Sequence, residues 1–150
     1  CALPISWKLA TFDQLSTHEL YAILRLRSEV FVVEQNCIYQ DVDGKDSKAI
    51  HLLGEMDGKL IAYARLFQAN DYFNEASIGR VLVKATHRNQ ELGHDLMKAA
   101  ITAIQNYFGT TCITISAQLY LQRFYESHGF TVSSEMYLED DIPHIQMKRD

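Results

Sequence analysis

The chain has 150 residues, of which 47% are apolar and 22% are charged, as in an ordinary folded domain; we expect a single domain over 1–150. Its net charge is −5 and it has no run of Lys and Arg, so nucleic acid is a poor candidate partner and a cation such as an amine a better one. The chain has three cysteines, an odd number, at Cys1, Cys37 and Cys112, and none of them form a CxxC pair. No apolar run is long enough to approach a membrane span. A cytoplasmic protein without disulfides, zinc or membrane contact is therefore expected.

The first elements in chain order are a strand, a helix and a polar loop. Residues 7–11 predict a short strand, and Ser16 followed by Glu19 forms a capping box that begins a helix. Apolar residues at helical spacing continue that helix to about Phe31. Residues 34–47 are polar and rich in Asp, which predicts a loop with room for a short helical turn.

A hairpin and a third strand follow the loop. Residues 49–56 and 59–68 predict two strands, and the intervening Asp57-Gly58 is a strong hairpin signal. Residues 76–83 predict the next strand. The later patterns predict a polar turn, a helix, a strand, a second helix and two strands, at residues 84–92, 96–107, 112–117, 119–128, 131–138 and 144–148. This order predicts a mixed α/β or α+β sheet with helices on its faces.

The turn at residues 84–92 lies between a predicted strand and a predicted helix, a favourable place for an anion. The start of a helix directs free backbone N–H groups and the positive end of its dipole at one point, so it suits a pyrophosphate. Arg88 and Gly93 are spaced as the first and last positions of Q/R-x-x-G-x-G/A, the acetyl-CoA signature of the GNAT (Gcn5-related N-acetyltransferase) superfamily, which this segment resembles. Glu91 replaces the middle glycine of that signature, so we expect it to point into solvent.

A second block extends the resemblance to the end of the chain. Residues 117–130 run from a strand into a helix with the pair Phe124-Tyr125 and end in Gly129-Phe130, as in the C-terminal motif of the family. Further segments are similar to the ElaA-type branch, namely residues 30–35, Asp41, Asp43, His51 and residues 142–144. The resemblance implies a central, mostly antiparallel sheet of about seven strands, with a splayed central pair and helices on both faces.

The resemblance also implies acetyl-CoA as cosubstrate. In this family the pantetheine arm lies in the gap between the splayed strands, and a backbone N–H, here near Leu82, polarises the thioester carbonyl. The residues that it implies for acetyl-CoA binding are Val81, Leu82, Val83, Arg88, Asn89, Gln90, Glu91, Leu92, Gly93, His94, Asp95, Gln118, Phe124 and Tyr125.

The implied reaction is direct attack of a neutral amine on the thioester, which needs a proton acceptor and a proton donor. Tyr125 matches the usual acid of the family, and a phenol with a pKa of about 10 suits a departing thiolate. Packing beside the cosubstrate is the alternative role for its ring. The first candidate base is Glu34, and the other candidates are Asp43, His51 and His144. Since His51 lies in an apolar stretch of strand, a structural role in the core is the alternative for it.

Four residues are expected to contact the acceptor, namely Arg65, Arg80, Gln118 and His144. Arg65 and Arg80 lie within predicted strands among apolar residues, so each needs a carboxylate partner. That partner is either a carboxylate of the chain, from Glu34, Asp41 or Asp43, or a carboxylate of the substrate.

The function expected from these residues is transfer of an acetyl group to an amine of a small molecule or peptide. The alternative is a non-catalytic module that binds acetyl-CoA and regulates a partner protein. An enzyme that uses acyl carrier proteins is less favoured, because the turn from Arg88 to Gly93 suits CoA. No metal is expected, since the histidines show no HxH or HExxH spacing. Neither a nucleic acid nor a membrane partner is expected, given the charge and the short apolar runs. A homodimer remains open.

Overall fold

The computed structural model describes residues 4–150, apart from the side chain of Asn89. Cys1, one of the three expected free thiols, lies outside the described residues. The strands are β1 Ser6–Thr11, β2 Ile50–Met56, β3 Lys59–Phe67, β4 Ala76–Val83, β5 Ile113–Gln118, β6 Thr131–Val132, β7 Tyr137–Glu139 and β8 Ile142–Arg149. The α-helices are α1 Thr17–Arg27, α2 Leu92–Phe108 and α3 Gln122–Glu126. Over residues 4–150, no helix has the length and apolar character needed to cross a membrane.

The eight strands form one sheet in the order β1-β2-β3-β4-β5-β8-β6, and β7 pairs with the same strand, β8. All pairings are antiparallel except that of β4 with β5. The predicted mostly antiparallel sheet is therefore confirmed. It has one strand more than expected, because the predicted strand over 131–138 is divided into β6 and β7. Between them the backbone N–H of Gln146 donates to the side chain of Ser134 rather than to a strand carbonyl.

The central strands β4 and β5 are parallel and paired only near their beginnings. The two residue pairs are Ala76 with Ile113 and Ser77 with Thr114. Both strands then continue and separate, so the predicted splayed pair is confirmed. The opposite edge of β4 changes register against β3 near Arg80, whose φ of 49° is left-handed, as at a β-bulge.

The two faces of the sheet carry separate cores. Leu52 of β2 belongs to the cluster that contains Leu96 of α2, whereas the adjacent Leu53 packs with Ile23 and Leu26 of α1. Neighbouring residues of a strand point to opposite faces. These contacts therefore place α2 and α1 on opposite faces of the sheet, as predicted.

The first helix begins at the predicted capping box. Its α-helical part ends at Arg27, before the predicted Phe31, but helical structure continues to Glu34. The Ser16 hydroxyl accepts from the Glu19 N–H at 3.0 Å, and the Glu19 carboxylate accepts from the Ser16 N–H at 2.9 Å. Beyond Arg27 the chain continues as a wider π-helix over Ser28–Glu34. This extension brings Glu34 to the cavity described next.

Candidate active site

A cavity of about 500 Å³ occupies the gap between β4 and β5. Its walls come from the end of the π-helix, the edge of β4, the start of α2, α3, and the strands β5, β7 and β8. The predicted site residues that line it are Glu34, Arg80, Val81, Leu82, Val83, Arg88, Gly93, Gln118, Phe124, Tyr125 and His144. The fold thus brings residues from both halves of the chain to one cavity.

The start of α2 forms the wall of the cavity that is suited to an anion. Gly93 lies in the first turn of this helix and lines the cavity. A Cβ atom added to Gly93 would lie 3.5 Å from a ring carbon of Phe124, an ordinary contact. Glycine therefore leaves the surface between the helix and Phe124 open, where the free N–H groups of a first helical turn attract negative charge.

Glu91 joins a short 3₁₀ turn, Ala85–Gln90, to α2 in a left-handed conformation with a φ of 58°. Glycine adopts this conformation without steric cost, whereas other residues are strained in it. The Glu91 side chain is exposed to solvent. Position 91 therefore has a backbone conformation that favours glycine, although the residue here is Glu.

Arg88 connects this turn to the π-helix. Its Nη2 donates to Glu34 Oε1 at 3.0 Å, its Nη1 donates to Glu34 Oε2, and its Nε donates to the Val83 carbonyl at 3.0 Å. The pair is partly exposed, with 41% of the Arg88 side chain and 37% of the Glu34 side chain accessible. Both oxygens of the Glu34 carboxylate are therefore occupied by Arg88.

Tyr125 lies on the wall of the same cavity and is almost fully buried, with 6% exposure. Its ring packs edge-on against Phe124 and Phe130, with centroid distances of 5.1 and 6.0 Å. Burial, with a smaller contribution from Tyr120, raises the pKa of the Tyr125 phenol. The phenol is therefore protonated throughout the neutral range.

Arg27 of α1 is fully buried and is held by two aspartates of the loop before β2. Its Nε lies 2.8 Å from Asp41 Oδ2, and its Nη1 lies 2.7 Å from Asp46 Oδ1. Arg27 also donates to the Asp41 carbonyl at 3.3 Å. These bonds fasten the polar loop to the first helix.

The two strand arginines are held by the same loop. Arg65 Nη2 lies 2.7 Å from Asp43 Oδ2, and Arg65 Nη1 lies 3.0 Å from Asp46 Oδ1. Arg80 donates to the Asp41 carbonyl at 2.8 Å, and its Nε lies 2.8 Å from Asp41 Oδ1 in a poorly aligned ion pair. Three guanidinium groups thus face three carboxylates, and the carboxylate partners lie within the chain.

Comparison with known proteins agrees with this geometry. The sequence profile of the acetyltransferase (GNAT) domain matches residues 13–150. The chain belongs to the GNAT family. Protein ElaA of Escherichia coli K12 is 41% identical over 148 residues, covering 97% of each chain, which confirms the predicted ElaA-type branch. The crystal structure of an acyl-CoA N-acyltransferase from Pseudomonas aeruginosa is 44% identical with a TM-score of 0.93, covering 98% of this chain and all of that one. Membership of this family supports acyl transfer from acyl-CoA.

His51, a predicted base, and Arg65, a predicted acceptor contact, do not line the cavity of this GNAT chain. His51 is completely buried, with Nδ1 2.6 Å from the Tyr63 hydroxyl and Nε2 2.9 Å from the Asp46 carbonyl. Burial lowers the pKa of His51, and both of its ring nitrogens are used within the core. Arg65 is similarly buried, and its carboxylate partners, Asp43 and Asp46, lie on the loop.

The remaining residues of the predicted cosubstrate turn differ in burial and in their contacts. Leu92 is buried in the core, whereas Gln90 and Asp95 are exposed. His94 Nδ1 lies 2.9 Å from His128 Nε2, and the His94 ring packs against Phe124. The predicted contact of the Asn89 side chain lies outside the described residues. Across the described chain, no three or more His, Cys, Asp or Glu side chains are grouped as metal ligands.

Ser116 and Glu139 are among the polar residues of the cavity wall that sequence reasoning missed. Ser116 had a usable signal, because it lies two residues before Gln118 on β5 and therefore on the same face of the strand. Glu139 had no such signal. Its position depends on the β7–β8 turn, where Asp140 and Asp141 both adopt left-handed φ angles.

Replacing Glu91 with Gly is expected to raise the free energy of unfolding by about 1 kcal/mol, because the left-handed strain is removed. Binding of an acyl-CoA should strengthen as well, because a negative charge leaves the start of α2. Urea denaturation and calorimetric titration measure the two effects. Glu91→Gln is the matched control, since it removes the charge and retains the strain. A Gln variant as stable as the Gly variant would contradict the backbone explanation.

Proposed function

We propose that this protein transfers an acetyl group from acetyl-CoA to an amine of a small molecule or peptide, by direct attack in a ternary complex. The observation that carries the proposal is the cavity between β4 and β5, whose wall combines the β4 edge, the start of α2 and the Tyr125 phenol. We take residues 1–150 as one domain for this reaction. The free thiols of Cys37 and Cys112 are compatible with a cytoplasmic location.

The groups along the cavity fit acetyl-CoA, which supplies a thioester carbonyl when bound. Past Ser77, the described part of β4 has no partner strand on the side of the gap, so residues 81–83 offer backbone hydrogen-bonding groups to a pantetheine amide. The first turn of α2, with Gly93, offers its N–H groups to the pyrophosphate. A backbone N–H near Leu82 is the proposed donor to the thioester oxygen.

The charges around the cavity favour an amine acceptor without a carboxylate. Arg65 and Arg80 are already paired with aspartates, so neither guanidinium is free for a substrate acid. Glu139 and Asp140 line the cavity and attract an ammonium group. Gln118 lines the same cavity and exchanges amide hydrogen bonds with Gln35 at 3.2 and 3.3 Å. We therefore propose a cationic amine as the acceptor, with Gln118 and His144 beside it.

Tyr125 is the proposed proton donor to the departing thiolate. Replacing Tyr125 with Phe removes the hydroxyl and keeps the packed ring, so kcat should fall by roughly 10- to 100-fold. The dissociation constant of acetyl-CoA should stay nearly unchanged, because the ring contacts remain. Steady-state kinetics and calorimetric titration separate the two effects. Equal kcat values for the Phe variant and the wild type would leave Tyr125 with a packing role only.

The first experiment is calorimetric titration with acetyl-CoA, with NADH as the control nucleotide, followed by detection of free CoA thiol in the presence of amines. Binding of acetyl-CoA alone, with thiol release dependent on 1,4-diaminobutane or a lysine peptide, supports the proposal. Glycine should be a poor acceptor because it carries a carboxylate. Binding without turnover of any amine would favour the non-catalytic regulatory module. Absence of binding would remove the proposed function.

A further inference from the structure

A second group of titratable side chains lines the cavity that contains Tyr125. His144 of β8 is 6% exposed, and its Nε2 lies 3.3 Å from Glu139 Oε2 of β7. Ser116 of β5 donates to Glu139 Oε1 at 3.4 Å, and its Oγ lies 2.5 Å from the hydroxyl of Tyr137. These groups come from three neighbouring strands, so the sheet itself holds them in place.

The hydrogen bonds of His144 determine which of its two ring nitrogens can accept a proton. Nδ1 lies 2.7 Å from the backbone carbonyl of Ile142, which can only accept, so Nδ1 carries a hydrogen. In the neutral ring, Nε2 then has the free electron pair. The Glu139 carboxylate beside Nε2 stabilises the positive charge that the ring gains when Nε2 takes a proton.

The other candidate bases are occupied elsewhere. Both carboxylate oxygens of Glu34 accept from Arg88, and Asp43 is paired with Arg65. His51 uses both ring nitrogens within the core. Among these four candidates, His144 alone combines a position in the cavity wall with a ring nitrogen that receives no hydrogen bond from the described residues.

We propose that His144 is the proton acceptor of the reaction and that Glu139 attracts the ammonium group and stabilises the resulting imidazolium. This inference rests on the proposed function. The ammonium group gives one proton to His144 Nε2, and the freed electron pair on nitrogen forms the N–C bond to the thioester carbon. The C–S bond breaks with its electron pair on sulfur, which takes the phenolic proton of Tyr125. The acylated nitrogen still carries one proton more than the amide, and this proton passes to the Tyr125 phenolate. The amide, free thiol, imidazolium and neutral phenol then balance the reactants, and the imidazolium gives its proton to solvent.

The test is chemical rescue of His144→Ala, with 1,4-diaminobutane as the probe amine. We expect kcat to fall on the order of 100-fold. Added imidazole should raise the kcat of this variant at least about tenfold, because free imidazole can act as the base in the space that the ring leaves. His18→Ala, at an exposed position of α1, should show no response to imidazole and is the matched control. Calorimetric titration with acetyl-CoA checks that the variant is folded and binds.

Glu139→Gln provides a second, less disruptive variant, because 45% of this side chain is exposed. Its kcat should fall on the order of tenfold, with unchanged affinity for acetyl-CoA. A wild-type rate in His144→Ala, or a loss that imidazole does not restore while acetyl-CoA still binds, overturns the assignment of His144. A wild-type protein that acetylates no amine overturns the proposed function together with this inference.

Discussion

Replacing Gly93 with Glu is expected to weaken acetyl-CoA binding on the order of 100-fold, a loss of about 2.7 kcal/mol. The new side chain would project from the first turn of α2 into the cavity, where the pyrophosphate is proposed to bind. It would occupy that space and place a carboxylate beside a polyanion. Calorimetric titration with acetyl-CoA measures the loss.

The structure predicts that this variant folds. Gly93 does not have a positive φ, so any residue can adopt its backbone conformation. Glu is also favourable in the first turn of a helix. Gly93→Ala adds a Cβ at an ordinary distance from Phe124 and should bind acetyl-CoA with nearly wild-type affinity. Gly93→Gln fills the same volume as Glu without charge and should be intermediate. Wild-type affinity in Gly93→Glu would place the pyrophosphate elsewhere.

Local sequence signals were sufficient for most of the fold. Ser16 and Glu19 form the predicted capping box, and Asp57 and Gly58 both adopt left-handed φ angles, 53° and 71°, at the predicted hairpin. Strand β4 has the predicted bounds, Ala76–Val83. Such signals work because each depends on a few neighbouring residues, whose conformational preferences the fold then retains.

The site was less accessible to sequence reasoning, because its geometry depends on contacts distant in the chain. Glu34 and Arg88 are 54 residues apart and meet only because a π-helix extends α1. Asp46 was missed entirely, although it bridges two arginines. Its signal was weak, since it is one of several aspartates in a polar loop and only the fold selects which of them are buried.

A second large effect, on the free energy of unfolding, is expected from replacing Asp46. Replacing Asp46 with Ala is expected to lower the free energy of unfolding by about 3–5 kcal/mol, because two buried guanidinium groups lose a shared carboxylate. Arg27 and Arg65 are 0% and 1% exposed, and Asp46 is 7% exposed. Water therefore cannot replace the lost hydrogen bonds without opening the core. Urea denaturation monitored by circular dichroism measures the change.

Lys8→Ala is the matched control, because it breaks an ion pair of nearly the same length that is exposed rather than buried. Lys8 and Glu19 form an ion pair 2.6 Å long, nearly the same as the 2.7 Å between Arg27 and Asp46, but 53% of the Lys8 side chain is exposed. Surface pairs are screened by solvent, so Lys8→Ala should leave stability close to that of the wild type. Similar losses in Lys8→Ala and Asp46→Ala would show that the distance between the charges, rather than burial, determines the contribution of an ion pair in this protein.

The same network predicts how stability depends on pH. Burial alone would raise the pKa of Asp46, but hydrogen bonds and charge from Arg27 and Arg65 hold it below its usual value. A carboxylate with a depressed pKa stabilises the fold above its unfolded pKa of about 3.9, and this contribution is lost as the pH falls through the lower folded value. The wild type should therefore lose stability steeply in acid. Asp46→Ala should lose less over the same range, because it already lacks one of the carboxylates whose protonation destabilises the core, and parallel acid transitions would contradict this role for Asp46.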